Sequence, residues 1–337
     1  MKKSLLTLFL LSMFLFSCNS GGQEGAAKTG DSSKKYTIAS VGKIEGISWF
    51  IRMREGVDKF KADTGHDAFM ISPAQADAAQ QVQIVENLIA QGVDAICIVP
   101  FSPESVEPVL KKARDNGIKV IVHEASQQQN ADIIIEAFSN YDFGQKMAEY
   151  LVKIMGEQGE VANFVGSLTS KSHNEQQDGV EAYLKNYPNI KLVSRRNEDY
   201  DDQTKAYEKT KELLTTYPNL TGIIGSASTT VPGASLAIDE RKLQDKVTIV
   251  GVATPLDAKQ YLDSGAADVI ALWDPAVSAY AMNVIAVKLL NGETIENGAD
   301  LGLEGYNSIR QDENDPKLFF GEAGIFLDKD TASGYNF

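Results

Sequence analysis

The sequence predicts an α/β protein made of two similar lobes, each a doubly wound parallel sheet covered by helices. Short runs rich in β-branched residues alternate with amphipathic stretches from Tyr36 onward, which is typical of a parallel sheet with helices on its faces. The same alternation restarts at Gly159. The stretch REGVDKFKADTG of the first half matches QDGVEAYLKNYP of the second, so the two halves are expected to form similar units.

The first half alternates predicted strands and helices as far as residue 125. The turn dipeptide Asn116-Gly117 separates its last helix from its last strand. The predicted strands are YTIASV, DAFMIS, DAICIVP and KVIVHEA, and the predicted helices cover residues 49–64, 78–91 and 105–116.

The second half repeats this order and then adds a closing strand and a long helix. Its predicted strands are EVANFVGS, IKLVSRR, TGIIGSAS and KVTIVGVA, and its helices cover residues 174–187, 202–217 and 232–240. The closing segment is DVIALWDPAVSAYAMNVIAVKLLNGE, in which Asp274-Pro275 joins strand to helix. This join is a candidate crossing between the lobes.

The N-terminus has the order of an export signal. Lys2 and Lys3 precede an apolar run over residues 5–16, which is too short for a permanent membrane span. The motif LFSC ends at Cys18 and resembles the bacterial lipobox, in which the cysteine is lipidated; an ordinary signal peptide that contains a cysteine is the alternative. Residues 19–35 are small and polar and are predicted to form a flexible tether.

Composition excludes several classes of partner. A formal net charge of −14 argues against nucleic acid and against anionic membrane surfaces, so membrane contact is expected only through the lipid anchor. The two cysteines are Cys18 and Cys97, and lipidation of the first leaves no disulfide partner for the second. Cys97 lies in an apolar strand and is predicted to be a buried thiol.

The loops that follow the predicted strands define a candidate cleft. Ligands of open parallel sheets bind beyond the carboxyl ends of the strands, and two facing sheets would place both sets of loops on one cleft. Polar or aromatic residues stand at these positions in both halves: Lys43, Trp49, Phe50, Glu124, and the stretches 167–174 and 226–230.

These loops contain no catalytic or metal motif. His123-Glu124 begins like HExxH, but Gln127 stands where the second histidine belongs, and the three histidines of the chain are scattered. No nucleophile elbow, Walker loop or dinucleotide-binding fingerprint follows a strand. His123 and Glu124 are adjacent and an acid–base pair stays open in principle, although hydrogen bonding is the simpler role. We predict neither enzymatic activity nor a metal or cofactor.

The same loops suit a small polyhydroxylated ligand. Trp49 and Phe50 can stack on the apolar face of a sugar ring, while Lys43 and Glu124 can hydrogen-bond its hydroxyls. Two alternatives stay open, since the aromatic pair can instead pack helix on sheet and the charged pair can form a rim ion pair of small energetic worth.

Polar residues of the second half have a structural alternative too. Asn174 and Gln176 can cap a helix, and Ser228 can lie in an N-terminal cap before Pro232.

Four motifs resemble one family. GKIEGISWF, YDDQTKA, TIVGVATP and GAADVIALWDP are similar to the periplasmic sugar-binding proteins of bacterial ABC transporters, in the ribose-binding-like class and in the branch of rhamnose-binding proteins and autoinducer-2 receptors. The resemblance extends over nearly the whole chain from Tyr36 and implies a type 1 periplasmic binding protein with three crossing strands at the hinge. The N-terminal lobe is expected to hold residues 36–138 with 274–303, and the C-terminal lobe 139–273 with 304–337.

The resemblance also implies ligand contacts. The family's first-loop lysine corresponds to Lys43, its aromatic pair to Trp49 and Phe50, and its acidic ligand after the fourth strand to Glu124, where relatives usually carry aspartate. In the second lobe the autoinducer receptors' proline and alanine correspond to Pro232 and Ala234. The predicted ligand-binding residues are Lys43, Trp49, Phe50, Glu124, His173, Asn174, Gln176, Ser228, Pro232, Ala234 and Asp274.

One departure bears on the ligand. The autoinducer receptors carry an Asp-Gln pair where this chain has the stretch KSHN, residues 171–174, and Gln176 stands where ribose-type proteins often carry arginine. A site built around a specific hydrogen-bonding carboxylate strongly rejects ligands that lack the complementary group. Because this chain lacks the receptors' Asp-Gln pair, a pentose, hexose or deoxyhexose is favoured over the furanone.

The function implied by the resemblance is capture of a small sugar and its delivery to an ABC permease. The protein is then a monomer, periplasmic or at the cell surface, held by a lipid anchor. A furanone receptor and a sugar-sensing protein coupled to chemotaxis are the alternatives. Sugar-responsive repressors share the lobes but need a basic helix-turn-helix where this chain carries an export signal.

Overall fold

Two sheets of mainly parallel strands form the frame of the protein, whose computed structural model describes residues 34–337. The predicted signal peptide, the lipidation of Cys18 and nearly all of the predicted tether lie outside the described residues. The first half contains β1 (Thr37–Val41), α1 (Ser48–Thr64), β2 (Asp67–Ile71), α2 (Ala78–Gln91), β3 (Ala95–Ile98), α3 (Pro103–Asp115), β4 (Lys119–Val122) and β5 (Ile133–Glu136).

The second half follows with an additional helix in front. It contains α4 (Asn140–Met155), β6 (Gly159–Val165), α5 (Lys171–Leu184), β7 (Ile190–Glu198), α6 (Gln203–Thr216), β8 (Leu220–Gly225), α7 (Thr230–Arg241), β9 (Thr248–Val252), α8 (Pro255–Ser264) and β10 (Val269–Leu272). The chain closes with α9 (Pro275–Leu290), β11 (Arg310–Gln311), β12 (Leu318–Phe320), β13 (Ile325–Leu327) and a 3₁₀ turn (Ala332–Gly334).

The two sheets share one strand order. The first sheet runs β11-β12-β5-β4-β3-β1-β2 and the second β13-β10-β9-β8-β6-β7, so the five leading strands of each half take the doubly wound order 2-1-3-4-5. These strands pair in parallel. The antiparallel pairs among the described strands are β11 with β12 and β13 with β10. The predicted fold of two similar doubly wound lobes is confirmed.

The central strands are buried on both faces. Along β3, Ile96 and Ile98 face the helices α2 and α3, whereas Cys97 faces the opposite core, under α1 and α9. Alternate residues of a strand point to opposite faces, so a strand covered by helices on both sides must be apolar throughout. Cys97 is buried as predicted, and burial raises the pKa of its thiol.

Three connections join the lobes, which confirms the hinge of three crossing segments. Residues 137–139 lead from β5 of the first sheet to α4, which packs on the second sheet. Residues 273–274 return from β10 to α9, which packs on α1 and the first sheet, so the predicted join at Asp274-Pro275 is a crossing. Residues 321–324 lead from β12 to β13.

The last crossing lies later in the chain than the predicted lobe boundaries place it. The strands of 310–311 and 318–320, assigned from the sequence to the C-terminal lobe, belong to the first sheet, because β12 pairs in parallel with β5. Only β13 continues into the second sheet, beside β10. The lobe boundaries themselves stay a prediction.

Glycines at equivalent positions of the two halves allow close packing between helices. A Cβ on Gly56 would lie 2.0 Å from the carbonyl oxygen of Ala276, and a Cβ on Gly179 would lie 2.0 Å from that of Tyr141. The two glycines stand at matching places in the repeated stretches, and each lets its helix, α1 or α5, touch the first turn of the helix that follows a crossing, α9 or α4.

Within the described residues, no helix is long and apolar enough to cross a membrane.

Candidate ligand-binding cleft

A small buried cavity lies between the lobes at the carboxyl ends of the strands. The centre of a water-sized sphere can occupy about 20 Å³ of it, room for little more than one water molecule. Its lining comes from both lobes: Lys43, Ile47, Trp49, Phe50 and Glu124 from the first, Trp273 from a crossing, and His173, Asp201, Ser226, Ser228 and Val252 from the second.

A buried ion pair lies in this cavity. Lys43 Nζ donates a hydrogen bond of 2.5 Å to Glu124 Oε2, although the two residues are 81 positions apart in the sequence. Burial disfavours both charges, yet the Glu124 carboxylate raises the pKa of Lys43, and the Lys43 ammonium lowers the pKa of Glu124. The pair is therefore ionised and is no rim ion pair.

The loop that carries Lys43 is held by a buried glutamine. Gln81 Nε2 on α2 donates to the carbonyl oxygens of Gly42, at 3.0 Å, and Val99, at 2.9 Å. Its Oε1 accepts from the N–H of Phe101 at 3.0 Å. One side chain thus joins the loops after β1 and β3 and positions Lys43.

His173 presents a neutral imidazole to the cavity. The N–H of Gly166 donates to His173 Nδ1 at 3.0 Å, so Nδ1 is the acceptor and Nε2 carries the proton of the neutral ring. Burial, followed by the nearby Lys43 ammonium, lowers the pKa of His173 to about 3. The second lobe therefore offers an uncharged hydrogen-bond donor here.

Two aspartates after β7 add carboxylates from the second lobe. Asp199 is fully buried, and its Oδ2 accepts from Thr230 Oγ1 at 2.6 Å. Burial and the neighbouring Asp201 carboxylate raise the pKa of Asp199 well above its usual value. Burial also raises the pKa of Asp201, an effect that Lys43 opposes.

The backbone at both cavity carboxylates is left-handed. Glu124 has φ 61° and Asp201 has φ 54°, and Tyr200 before it has φ 55°. Left-handed backbone costs a residue with a side chain about 1–2 kcal/mol, and such strain tends to gather at functional sites. Asp199 holds the second turn, because its Oδ1 accepts from the N–H of Asp201 at 3.1 Å.

Aromatic rings wall the cavity. The rings of Trp49 and Trp273 meet edge to face, with centroids 4.6 Å apart. Trp273 Nε1 donates to His123 Nε2 at 3.2 Å, and His123 Nδ1 donates to the carbonyl oxygen of Ile135 at 2.5 Å. His123 therefore supports Trp273 and forms no acid–base pair with its neighbour Glu124.

The lobes are closed on each other around the cavity. An open groove of about 540 Å³ adjoins it and shares Ile47, Asp201 and Ser228 with its wall. Hydrogen bonds join the lobes: Ser48 Oγ donates to Asp257 Oδ1 at 2.8 Å, Ser126 Oγ to Glu175 Oε1 at 2.5 Å, and Thr169 Oγ1 to the carbonyl oxygen of Phe101 at 3.3 Å.

The structure brings six of the predicted ligand residues together and places five elsewhere. Lys43, Trp49, Phe50, Glu124, His173 and Ser228 line the cavity, and Pro232 lines the adjoining groove. Asn174 Nδ2 donates to backbone carbonyls of its own loop, and Gln176 Nε2 donates to Asn140 Oδ1 at 3.1 Å. Ala234 is buried in α7, and Asp274 caps α9 and pairs with Arg52.

Five residues of the cavity wall are absent from the predicted ligand set: Ile47, Asp201, Ser226, Val252 and Trp273. Asp201 belongs to the quoted motif YDDQTKA, and Trp273 to the motif GAADVIALWDP, but neither was selected as a ligand residue. A strand-end rule applied to every strand would have found both, because they follow β7 and β10. Among the described residues, no group of three or more His, Cys, Asp or Glu side chains could hold a metal ion.

Comparison with known proteins gives one family and one fold. The sequence profile of the family described as periplasmic binding protein domain matches residues 38–294. The ribose import binding protein of Bacillus subtilis is 25% identical over 241 residues, which cover 71% of this chain and 78% of that protein.

Solved structures agree in fold. LsrB from Clostridium saccharobutylicum in complex with AI-2 superposes with a TM-score of 0.81 at 22% identity, over 89% of this chain and 100% of that chain. An ABC transporter solute binding protein from Clostridium phytofermentas with bound L-rhamnose gives a TM-score of 0.82 at 20% identity, over 90% and 98%.

Proposed function

The chain belongs to the periplasmic binding protein domain family, and we propose that it captures a small neutral sugar in the cleft between its lobes and delivers it to an ABC permease. The observation that carries this proposal is the convergence of Lys43, Glu124 and Trp49 of the first lobe with His173 and Asp201 of the second on one cavity. A hydroxyl-rich ring needs such paired donors, acceptors and aromatic faces.

Binding requires the lobes to separate. A pocket that encloses a small ligand holds about 300 Å³ or more, whereas the present cavity holds about 20 Å³ for water-sized spheres. Opening about the three crossings would widen the cleft, and a sugar bound to one lobe would gain its second set of hydrogen bonds on closure. The ligand then stabilises the closed form by this difference in affinity.

The closed form is the state that a permease would recognise. Micromolar affinity, which suits capture and release, corresponds to about −8 kcal/mol. The protein is proposed to act as a lipid-anchored monomer outside the cytoplasmic membrane, without catalysis. A chemotaxis receptor could read the same closed form, and the genes that accompany this one would distinguish the two roles.

An autoinducer-2 furanone is the second candidate ligand. One observation favours retaining it: Asp201 brings a second-lobe carboxylate into the cavity, although the stretch of residues 171–174 has none. The carboxylate comes from a different loop than the autoinducer receptors' pair, which is why a sugar is preferred.

Tryptophan fluorescence with calorimetry tests the proposal directly. The chain has two tryptophans, Trp49 and Trp273, and both line the cavity, so emission reports on this site alone. We expect a saturable emission change and matching heat with at least one of D-ribose, D-arabinose, L-rhamnose and D-galactose. Saturation by the furanone with no response to any sugar would replace the proposed ligand class.

A further inference from the structure

The cavity contains unpaired acceptors on both of its walls. Glu124 Oε1 of the first lobe and Asp201 Oδ2 of the second are buried, and neither accepts a hydrogen bond from any residue between 34 and 337. The other oxygen of Glu124, Oε2, accepts a hydrogen bond from Lys43 Nζ. Buried carboxylate oxygens normally have partners, since an unsatisfied one costs free energy.

Asp201 is held in place for this role by other groups. The N–H of Tyr200 donates to the carbonyl oxygen of Gly166 at 2.7 Å, and the carboxylate of Asp199 fixes the N–H of Asp201. Asp202, the next residue, has its Oδ1 occupied by the N–H groups of Thr204 and Lys205 at the start of α6. Of the two adjacent aspartates, only Asp201 lies in the buried cavity with an oxygen to spare.

We propose that Asp201 is a ligand-contacting residue that accepts a hydrogen bond from one ligand hydroxyl, while Glu124 accepts one from a hydroxyl at the opposite edge of the same ring. This inference rests on the proposed function and narrows it. The ligand is a neutral ring with hydroxyl donors on two edges. A sugar acid is disfavoured, because its carboxylate would meet Glu124 and Asp201 while Lys43 is already paired.

The test compares Asp201→Asn with Asp202→Asn. The first substitution removes the charged acceptor from the cavity. The second makes the same chemical change one residue away, where asparagine still caps α6. Losing a hydrogen bond to a charged group weakens binding by about 10- to 100-fold, so we expect that loss for Asp201→Asn and less than about twofold for Asp202→Asn.

Stability separates a ligand contact from a structural role. Asp201→Asn should keep or raise the urea midpoint of the ligand-free protein, since it removes a buried carboxylate with an unpaired oxygen. If this variant does not fold, Asp201→Gly replaces it, because glycine adopts the left-handed backbone at φ 54° without strain and removes the carboxylate. That variant should also lose affinity for the same sugar.

The outcomes distinguish this inference from the proposed function. Wild-type binding of a neutral sugar, with affinity lost in Asp201→Asn and D-galacturonate bound at least tenfold more weakly than D-galactose, supports both. Wild-type binding with unchanged affinity in Asp201→Asn, or tighter binding of D-galacturonate, overturns only the inference. A wild-type protein that binds none of the sugars overturns both.

Discussion

Lys43 Nζ lies 2.5 Å from Glu124 Oε2, and the two side chains are only 3% and 4% exposed. An ion pair this deep loses the hydration of both charges and keeps its stability through the partner and further hydrogen bonds. The same two groups belong to the ligand site that we propose.

Removal of one partner should cost more stability than removal of both. Lys43→Met leaves the Glu124 carboxylate buried without its cation, and we expect the free energy of unfolding to fall by about 3–5 kcal/mol. The double variant Lys43→Met with Glu124→Leu replaces the pair by apolar groups and should recover most of that loss. Urea unfolding of both variants checks this, and a double variant no more stable than the single one would contradict it.

Stability should fall with rising pH because of Asp199. Its folded-state pKa is raised well above the usual 3.8, so above that pH the folded chain binds more protons than the unfolded chain, and the free energy of unfolding decreases as pH rises toward the raised value. Asp199→Asn cannot titrate. Relative to wild type, its unfolding free energy should therefore increase as pH rises from the usual 3.8 toward the raised pKa of Asp199, measured by urea titration without ligand. Parallel pH curves for the two proteins would refute the assignment.

Loss of contacts between the lobes should favour the open form. Ser48→Ala and Ser126→Ala each remove a hydrogen bond to a carboxylate of the other lobe, and each should weaken sugar affinity by roughly 2- to 10-fold. X-ray scattering should show a larger radius of gyration for the ligand-free double variant. Ser105→Ala is the matched control, since its hydroxyl bonds Ser102 within the first lobe. An unchanged radius in the double variant would show that these contacts do not hold the lobes together.

The two repeat glycines should resist alanine despite alanine's higher helix propensity. Alanine is favoured over glycine in a helix by about 1 kcal/mol, yet a Cβ at Gly56 or Gly179 meets a carbonyl oxygen at 2.0 Å. We expect Gly179→Ala and Gly56→Ala to lower the free energy of unfolding by about 1–3 kcal/mol in urea titrations. Gly334→Ala, where a Cβ meets no described atom within 4 Å, should leave it unchanged. Wild-type stability in both repeat variants would mean that the helices can move apart freely.

The alternation of strands and helices could be predicted wherever elements were long and regular. Helix α2 spans the predicted residues 78–91. Strand β5 and helix α4 were not predicted, because they lie between the last predicted strand of the first half and Gly159, where the repeated alternation restarts. Helix α8 was not predicted either. In the fold, α4 packs on α5 as α9 packs on α1. This equivalence depends on contacts between segments that are distant in the sequence.

The candidate site could be predicted in part. Lys43, Glu124, His173 and Ser228 follow strand ends, and the topology alone brings them to one cavity. The destinations of Asn174 and Gln176 depend on which carbonyl or amide each side chain reaches after folding. Asp201 reaches the cavity because its backbone is left-handed, and the sequence YDD does not predict that conformation.

The return of the chain to its first sheet also affects the order in which the protein can be completed during translation. Helix α9 covers α1, with Tyr280 against Phe60 at 5.2 Å between ring centroids, and β12 extends the sheet beside β5. Both are synthesised after the segment of the second lobe that runs from α4 to β10. At about 5–20 residues per second, the apolar side of α1 waits on the order of tens of seconds for its cover. A nascent polypeptide that has not yet reached Pro275 therefore exposes the apolar part of α1 that α9 later covers.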